Sequence, residues 1–270
     1  MNFGCVFPKS DPRKAIEFAK EAEKCGWNGF FVWEPIYGAD AWVTLSAIAS
    51  QTKTIKLGTL ISPLSRMRPW KIASEVLTLD IISHGRIILG VALGALDTGF
   101  AEFGEVTERK TRAELLDEAL EIIMNFWKGE YTYSGKHYDI KECSFFQQVP
   151  PPRPIQKELP IWVVGAWPRT KSLRRTMKYA GIIPNVLNER NQHEEVTPEH
   201  IQKIREFMIE GIAEKPFDIV VEGTTSENSL KAREIVLPFK EAGATWWIES
   251  QWMAESLDEV LVRIKAGPPI

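Results

Sequence analysis

The stretch TLDIISHGRIILGVALGALDTGF, Thr78 to Phe100, changes character twice. It begins as the end of a helix-like run, turns at Ser83-His84-Gly85 and becomes apolar from Arg86 to Val91. It then thins into Gly90, Ala92, Gly94 and Ala95. An apolar run of this length without alternation reads as a strand buried on both faces, the mark of a parallel sheet. Its opening into residues with almost no side chain leaves space for something flat and bulky against the backbone. Relief of crowding at a barrel corner is the other reading of Gly90 and Gly94.

The same unit recurs along the chain. Strand-like runs at about 3–7, 29–33, 55–61, 86–92, 160–165, 181–186, 217–223 and 245–250 are each followed by a helix-like run. The first helix is well punctuated, with Asp11 as N-cap, Pro12 at the first helical position and Gly26 just past the end. Eight such units in 270 residues match a (β/α)8 TIM barrel, α/β in class, with residues 1–270 as a single domain. An open doubly wound sheet is disfavoured because GCVFPKSD, after the first strand, lacks the GxGxxG fingerprint. YTYSGKHYDI alternates around Ser134-Gly135-Lys136 and predicts a β-hairpin inserted between the fourth helix and the fifth strand.

Composition excludes several classes. The net charge of -3 with no block of like charges argues against nucleic-acid or membrane partners. No apolar run approaches the roughly 20 residues of a membrane span, and no signal peptide is visible at the N-terminus. Three widely spaced cysteines (Cys5, Cys25, Cys143) fit reduced thiols and a cytoplasmic location.

A barrel builds its site from the C-terminal strand ends and the loops after them. Those ends carry aromatic walls, small residues and hydroxyls; no HExxH, neighbouring His and Cys, or acid cluster suggests a metal. His84, His137, His193 and His200 read as turn, hairpin or helix-start residues. An aromatic-walled mouth with scattered hydroxyls suits a large flat ligand that brings its own chemistry. VVGAWPRTKSLRRTMKYAG reads as a strand, a turn and a helix opening at Pro168. Its free N–H groups, with Arg169 and Thr170, would make an anion site; simple capping beside a solvated basic face is the alternative.

RMRPWKIASEVLTLDIISHGRIILGVALG, Arg66 to Gly94, closely resembles the hallmark region of the bacterial luciferase-like flavin-dependent oxidoreductases. Two further stretches agree with it, the fourth helix with its hairpin and the fifth strand with its phosphate turn. The resemblance implies a (β/α)8 barrel binding FMN, or in a sister branch the deazaflavin coenzyme F-420, at the mouth. It implies Thr59, Leu60 and Ile61 under the ring, often with a non-prolyl cis peptide there. It puts Gly90, Ala92 and Gly94 against the other side of the ring or its ribityl chain, and Gly165, Ala166 and Thr170 around the phosphate, beside Arg169. Where the luciferases proper carry Glu-His-His, this chain has Glu34-Pro35-Ile36, and Leu93 stands where their loop arginine would be. Proline has no proton to give, so light emission is not expected.

The leading expectation is a monooxygenase using reduced FMN and oxygen on a small organic substrate. The alternatives are a deazaflavin-dependent hydride-transfer oxidoreductase, slightly favoured by the missing histidines, and a non-catalytic flavin-binding protein. Glu34 is the expected acid/base, with Glu222 and Glu249 behind it and Trp33, Trp167, Trp247 and Trp252 as candidate walls of a dry pocket. The resemblance further implies a homodimer through residues about 69–83 and 109–127, with Trp70, Ile72 and Met124 as exposed-looking apolar groups, and a separate flavin reductase.

Overall fold

The computed structural model describes residues 1–212 and 215–269. Eight strands form one closed ring: β1 (Asn2–Val6), β2 (Gly29–Val32), β3 (Lys56–Pro63), β4 (Ile87–Ala92), β5 (Ile161–Trp167), β6 (Gly181–Leu187), β7 (Asp218–Gly223) and β8 (Trp246–Ser250). Each pairs in parallel with its sequence neighbours. β8 pairs with β1, and the β6–β7 register Asp218↔Gly181 completes the circle. The helices between them are α1 (Pro12–Lys24), α2 (Ala41–Gln51), α3 (Pro69–Ser83), α4 (Arg109–Lys128), α5 (Thr170–Thr176), α6 (Pro198–Ile212), α7 (Ser229–Ala242) and α8 (Leu257–Lys265). This is the (β/α)8 barrel that the alternation of runs predicts.

Local chemistry sets the element ends. Asp11 caps α1 by accepting from the Arg13 and Lys14 N–H groups at 3.0 and 3.1 Å, with Pro12 in the first turn. α3 ends at His84, whose left-handed φ of 56° turns the chain into β4. α5 opens at Thr170 and not at Pro168. Pro168 follows a cis Trp167–Pro168 bond in the turn before the helix, which the Arg169 N–H closes by donating to the Ala166 carbonyl at 2.8 Å. A second cis bond joins Leu60 to Ile61 inside β3.

The core has two layers. Inside the ring Val6, Phe31, Leu60, Ile88, Trp162, Ile183, Val220, Trp246 and Ile248 fill the barrel, with Trp162 against Phe31 (5.5 Å) and Trp246 (5.1 Å). Truncating a ring in this plug removes about 3–5 kcal/mol. Outside the ring, larger clusters join the strands to the helices. Ile72 belongs to that outer layer and is buried, which corrects the expectation that it is exposed; Trp70 is exposed beside Tyr138.

Between α4 and β5 the chain forms a short antiparallel pair, Tyr133↔Ile140 and Ser134↔Asp139. Glu118 of α4 holds its turn, accepting from the Lys136, His137 and Tyr138 N–H groups at 2.9, 3.0 and 3.1 Å. No helix among the described residues is long and apolar enough to cross a membrane, and none of their His, Cys, Asp and Glu groups form a cluster suited to a metal.

Candidate active site

Side chains alternate faces along a strand, so the residue two beyond an interior one also points inward. Extending the interior layer by this rule gives the rim of the C-terminal mouth. On one side it presents Pro8, Trp33 and Ala166, two beyond Val6, Phe31 and Val164, and Ala92, four beyond Ile88; on β3 the cis Leu60–Ile61 bond breaks the alternation, and Ile61 joins them because it packs on the interior cluster. On the other it presents Asn185, Glu222 and Ser250, following Ile183, Val220 and Ile248 on β6 to β8. The mouth therefore has an apolar arc of five strands and a polar arc of three.

The small residues of the apolar arc are small for two different reasons. Ala92 and Ala166 sit at the rim and leave it flat. Gly90 lies one layer deeper, where a Cβ would fall 2.2 Å from the Thr59 carbonyl oxygen of β3. Gly94 has a φ of 87°, and a Cβ there would meet the Phe100 ring at 2.5 Å and Pro63 at 2.8 Å. Gly165 faces outward, where a Cβ would meet Ile182 at 2.5 Å. The chain's own packing thus requires glycine at 90 and 94, while at 165 the end of the Ile182 side chain would have to move; the crowding explanation holds for Gly90 and Gly94.

β3 enters the site irregularly. Its pairing with β4 slips between Thr59 and Ser62, around the cis Leu60–Ile61 bond, and both Leu60 and Ile61 pack on the interior cluster. Thr59 is buried, donating to the Gly90 carbonyl at 3.1 Å and accepting from Ser62 at 3.0 Å. It ties β3 to β4.

The anion site is expected at the turn after β5. Ser172 Oγ accepts from the Ala166 N–H at 3.0 Å, and Arg169 donates to Asn191 Oδ1 at 2.6 Å. Thr170 is exposed at the start of α5. Two arginines of α4 reach the same corner. Arg112 is buried, donates to the Gly94 carbonyl at 2.8 Å and lies 5.6 Å from the Phe100 ring centre. Arg109 has its pKa lowered by burial first and then by the like charges of Arg169, Arg112 and Arg175. Arg175 is paired with Asp117. The like charges gathered at this corner repel one another, and an anion would relieve that repulsion. The sequence reading missed Arg109 and Arg112. Their only signal is position: Arg112 falls on the buried face of α4 next to the strand end where Leu93 replaces the luciferase arginine.

The carboxyl groups separate cleanly. Glu34 follows β2, and its N–H donates to the Ile61 carbonyl at 3.4 Å. Burial pushes its carboxyl up to about 7; Asp40 adds to the rise and Arg66 opposes it. Glu34 Oε2 and Arg66 Nε are both buried without a hydrogen-bond partner, while Arg66 Nη2 donates to the Glu34 and Pro35 carbonyls at 3.1 and 3.0 Å. The charges acting on Glu34 come from the α2–α3 side. Glu249 faces away from the mouth. It is buried against Arg263 (3.3 Å) and accepts from Thr225 N–H and Oγ1 at 2.7 and 2.6 Å, so it holds the barrel wall to α8. Glu222 is exposed, and desolvation raises its carboxyl while hydrogen bonds from Trp252 and Ser250 oppose the rise. Its Oε1 accepts from Trp252 Nε1 at 2.6 Å.

Of the expected wall tryptophans, Trp252 meets the rim residue Glu222, and Trp33 follows the end of β2 beside Phe7 and the start of α1. Trp247 is buried between barrel and helices, and Trp167 packs on Phe207 in the same outer layer. A histidine also reaches the rim, contrary to the turn role given to it. His193 pairs back on β6 opposite Leu187, and its Nδ1 lies 2.7 Å from Asn185 Oδ1.

Comparison with known proteins agrees with this architecture. F420-dependent glucose-6-phosphate dehydrogenase of Amycolatopsis mediterranei (strain U-32) is 29% identical over 181 residues, 63% of this chain and 51% of the relative. The oxygenase component of flavin-dependent trigonelline monooxygenase of Acinetobacter baylyi (strain ATCC 33305 / BD413 / ADP1) is 27% identical over 163 residues, 57% of this chain and 43% of the relative. The chain thus spans about half the length of these curated relatives. The solved structure of coenzyme F420 dependent tetrahydromethanopterin reductase from Methanopyrus kandleri shares the fold, with a TM-score of 0.75 at 17% identity over 98% of this chain and 97% of that one. A family model described as luciferase-like monooxygenase matches residues 4–250, most of the length, and the chain belongs to that family.

Proposed function

We propose that this chain is an oxidoreductase that holds a flavin-type coenzyme in the barrel mouth, and that the coenzyme is the deazaflavin F-420. One observation carries the reading. The apolar arc is flat at Ala92 and Ala166, and a cluster of guanidinium groups with a single paired carboxylate adjoins it. A planar ring with an anionic tail matches both halves of that arrangement. The residues present fit the group. Ala92, Ala166, Leu60 and Ile61 would bear the ring, while Arg109, Arg169 and the turn at Thr170 would hold the phosphate. When bound, F-420 supplies two-electron redox chemistry, and this chain supplies orientation and a proton-handling group. Glu222 has the better geometry for that proton because strand parity aims it into the mouth, whereas the neighbours of Glu34 lie to the side.

Support for F-420 over FMN comes from relatives such as the A. mediterranei dehydrogenase. Reduced FMN with oxygen is the second reading, favoured by the A. baylyi relative. Titration with each coenzyme, read by fluorescence, tests the choice. Tighter binding of F-420 is the expected result, tighter binding of FMN selects the second reading, and binding of neither ends both. Dimerisation through α3 and α4 belongs to the same reading, and sedimentation with Trp70→Lys checks it.

A further inference from the structure

The loop from Trp33 to Ala39 leaves the mouth end of β2 and leads to α2, and both of its ends are tied down. The Glu34 N–H donates to the Ile61 carbonyl at 3.4 Å, just past the β2–β3 register that ends at Val32↔Thr59. The Ala39 N–H donates to Ser10 Oγ at 3.1 Å, and Asp40 caps α2 by accepting from the Val43 N–H at 2.8 Å. Tyr37, between these ends, is exposed. Arg66, at the close of the turn Leu64–Arg66 after β3, grips the first half of the loop. Its Nη2 donates to both the Glu34 and the Pro35 carbonyl, at 3.1 and 3.0 Å. One nitrogen thus serves two carbonyls while Nε stays buried with no acceptor. Glu34 Oε2 is buried and partnerless in the same way, although each group feels the charge of the other.

A carboxylate holds a guanidinium more strongly than a carbonyl does, because both partners are charged; a neutral carboxyl has no such advantage. Arg66 on the carbonyls, with Nε and Glu34 Oε2 left apart, is therefore the arrangement of a neutral Glu34. We propose that Arg66 is a positioning residue that holds the β2–α2 loop against β3 while Glu34 is neutral and turns to the carboxylate when Glu34 ionises, so that one proton governs how tightly the mouth grips its coenzyme. Ile61 provides the link, since it belongs to the ring's seat and its carbonyl anchors the loop on β3. Releasing the two carbonyls loosens that anchor, so the neutral form binds more tightly. Coenzyme in turn favours the neutral form by the same factor. The groups around the pair are consistent with this exchange. Burial comes first in raising the Glu34 carboxyl to about 7; Asp40 at the start of α2 and Glu75 on α3 add to it, while Arg66 and Lys71, the latter paired with Glu75, oppose it. Glu105, in the loop before α4, acts on Arg66. Lys9 and Asp11, in the loop after β1, line a small cavity with Trp33 and Pro35, and Asp11 is taken by the α1 N-terminus. The inference rests on the reading that the apolar arc seats the coenzyme ring.

The latch is read first without coenzyme. The ¹⁵Nε resonance of Arg66, assigned by its loss in R66K, is followed across neutral pH in the full chain, together with the ¹³C carboxyl resonance of Glu34. In wild type both should move with one midpoint of about 7, and in E34Q, close in shape to the neutral carboxyl, the Arg66 signal should stay still. F-420 and FMN are then titrated in turn. Relative to E34Q, the coenzyme that binds should do so about tenfold more weakly above the midpoint than below it; the coenzyme's own titration is common to both proteins and cancels. Saturation with that coenzyme should lift the Glu34 midpoint by about one pH unit, the same tenfold. R66K keeps the charge and loses the fork. It should bind at acid pH as weakly as wild type does at alkaline pH, a profile that lost packing alone does not give. An Arg66 signal that stays still in wild type, one that still moves in E34Q, or a bound coenzyme whose affinity relative to E34Q is flat across the midpoint overturns the proposal. If Arg66 and Glu34 titrate together and neither coenzyme binds, the latch on the loop stands and the coenzyme reading falls.

Discussion

Glu34 makes the sharpest prediction, because its carboxyl is held at about 7 against an ordinary 4.5, chiefly by burial. The gap corresponds to about 3 kcal/mol, or about 2–3 once its partial exposure is discounted. The sign follows from proton uptake. Below the ordinary value both folded and unfolded chains are protonated at this site, and Glu34 costs nothing. Between 4.5 and about 7 the unfolded chain ionises while the folded one does not, so stability falls as pH rises and levels off above about 7. Glu34→Gln cannot ionise, so its stability relative to wild type should climb by about 2 kcal/mol between pH 5 and pH 8. In a chain of this size that is roughly 3–4 °C of melting temperature. The amide also changes a buried contact, but that offset is independent of pH, so the slope is the quantity to read. Denaturant melts of both proteins at several pH values supply it, and a ¹³C carboxyl titration gives the midpoint directly. Parallel stability curves, or a carboxyl midpoint near 4.5, would refute the argument that burial governs this group.

Other outcomes follow from the same geometry. Gly90→Ala should destabilise by about 1–3 kcal/mol or more, because its methyl would meet the Thr59 carbonyl; calorimetry reads the loss. Glu249→Gln strands the buried Arg263 and should cost about 3–5 kcal/mol in chemical unfolding. Arg109→Gln should weaken coenzyme binding about tenfold at low salt, and the difference from wild type should shrink as ionic strength rises.

The barrel was legible because its signal is local and repeated. Each strand is an unbroken apolar run, each helix has its own period, and capping residues such as Asp11 mark where one becomes the other. The partition of the site was not legible, because it depends on strand parity. A strand buried on both faces shows no alternation, so Glu222 and Glu249, both near strand ends, look equivalent in sequence. One faces the mouth and the other meets Arg263 behind the wall. Long-range neighbours were hidden for a related reason. Arg112 approaches Gly94 and His193 approaches Asn185 only because α4 and the turn after β6 fold back over the rim. No spacing rule encodes such a return.

Parity also divides labour at the mouth. The outward residues near the strand ends lock neighbouring elements together: Thr59 to Gly90, Gly165 against Ile182, Glu249 to Arg263. Of the inward residues at the rim, Ala92 and Ala166 present only a methyl, while Asn185 meets His193 and Glu222 meets Trp252. A substitution facing outward therefore disturbs stability whatever ligand is present, and one facing inward alters binding while the barrel stands. Two adjacent residues of one strand should thus give opposite phenotypes. Ala166→Leu should lose coenzyme affinity at nearly constant melting temperature, and Gly165→Leu should lose the fold's stability first, because its side chain would enter the space already held by Ile182 and Thr176. If both substitutions lowered stability alike, the rim at β5 would be part of the packed core and no flat ligand would have a seat there.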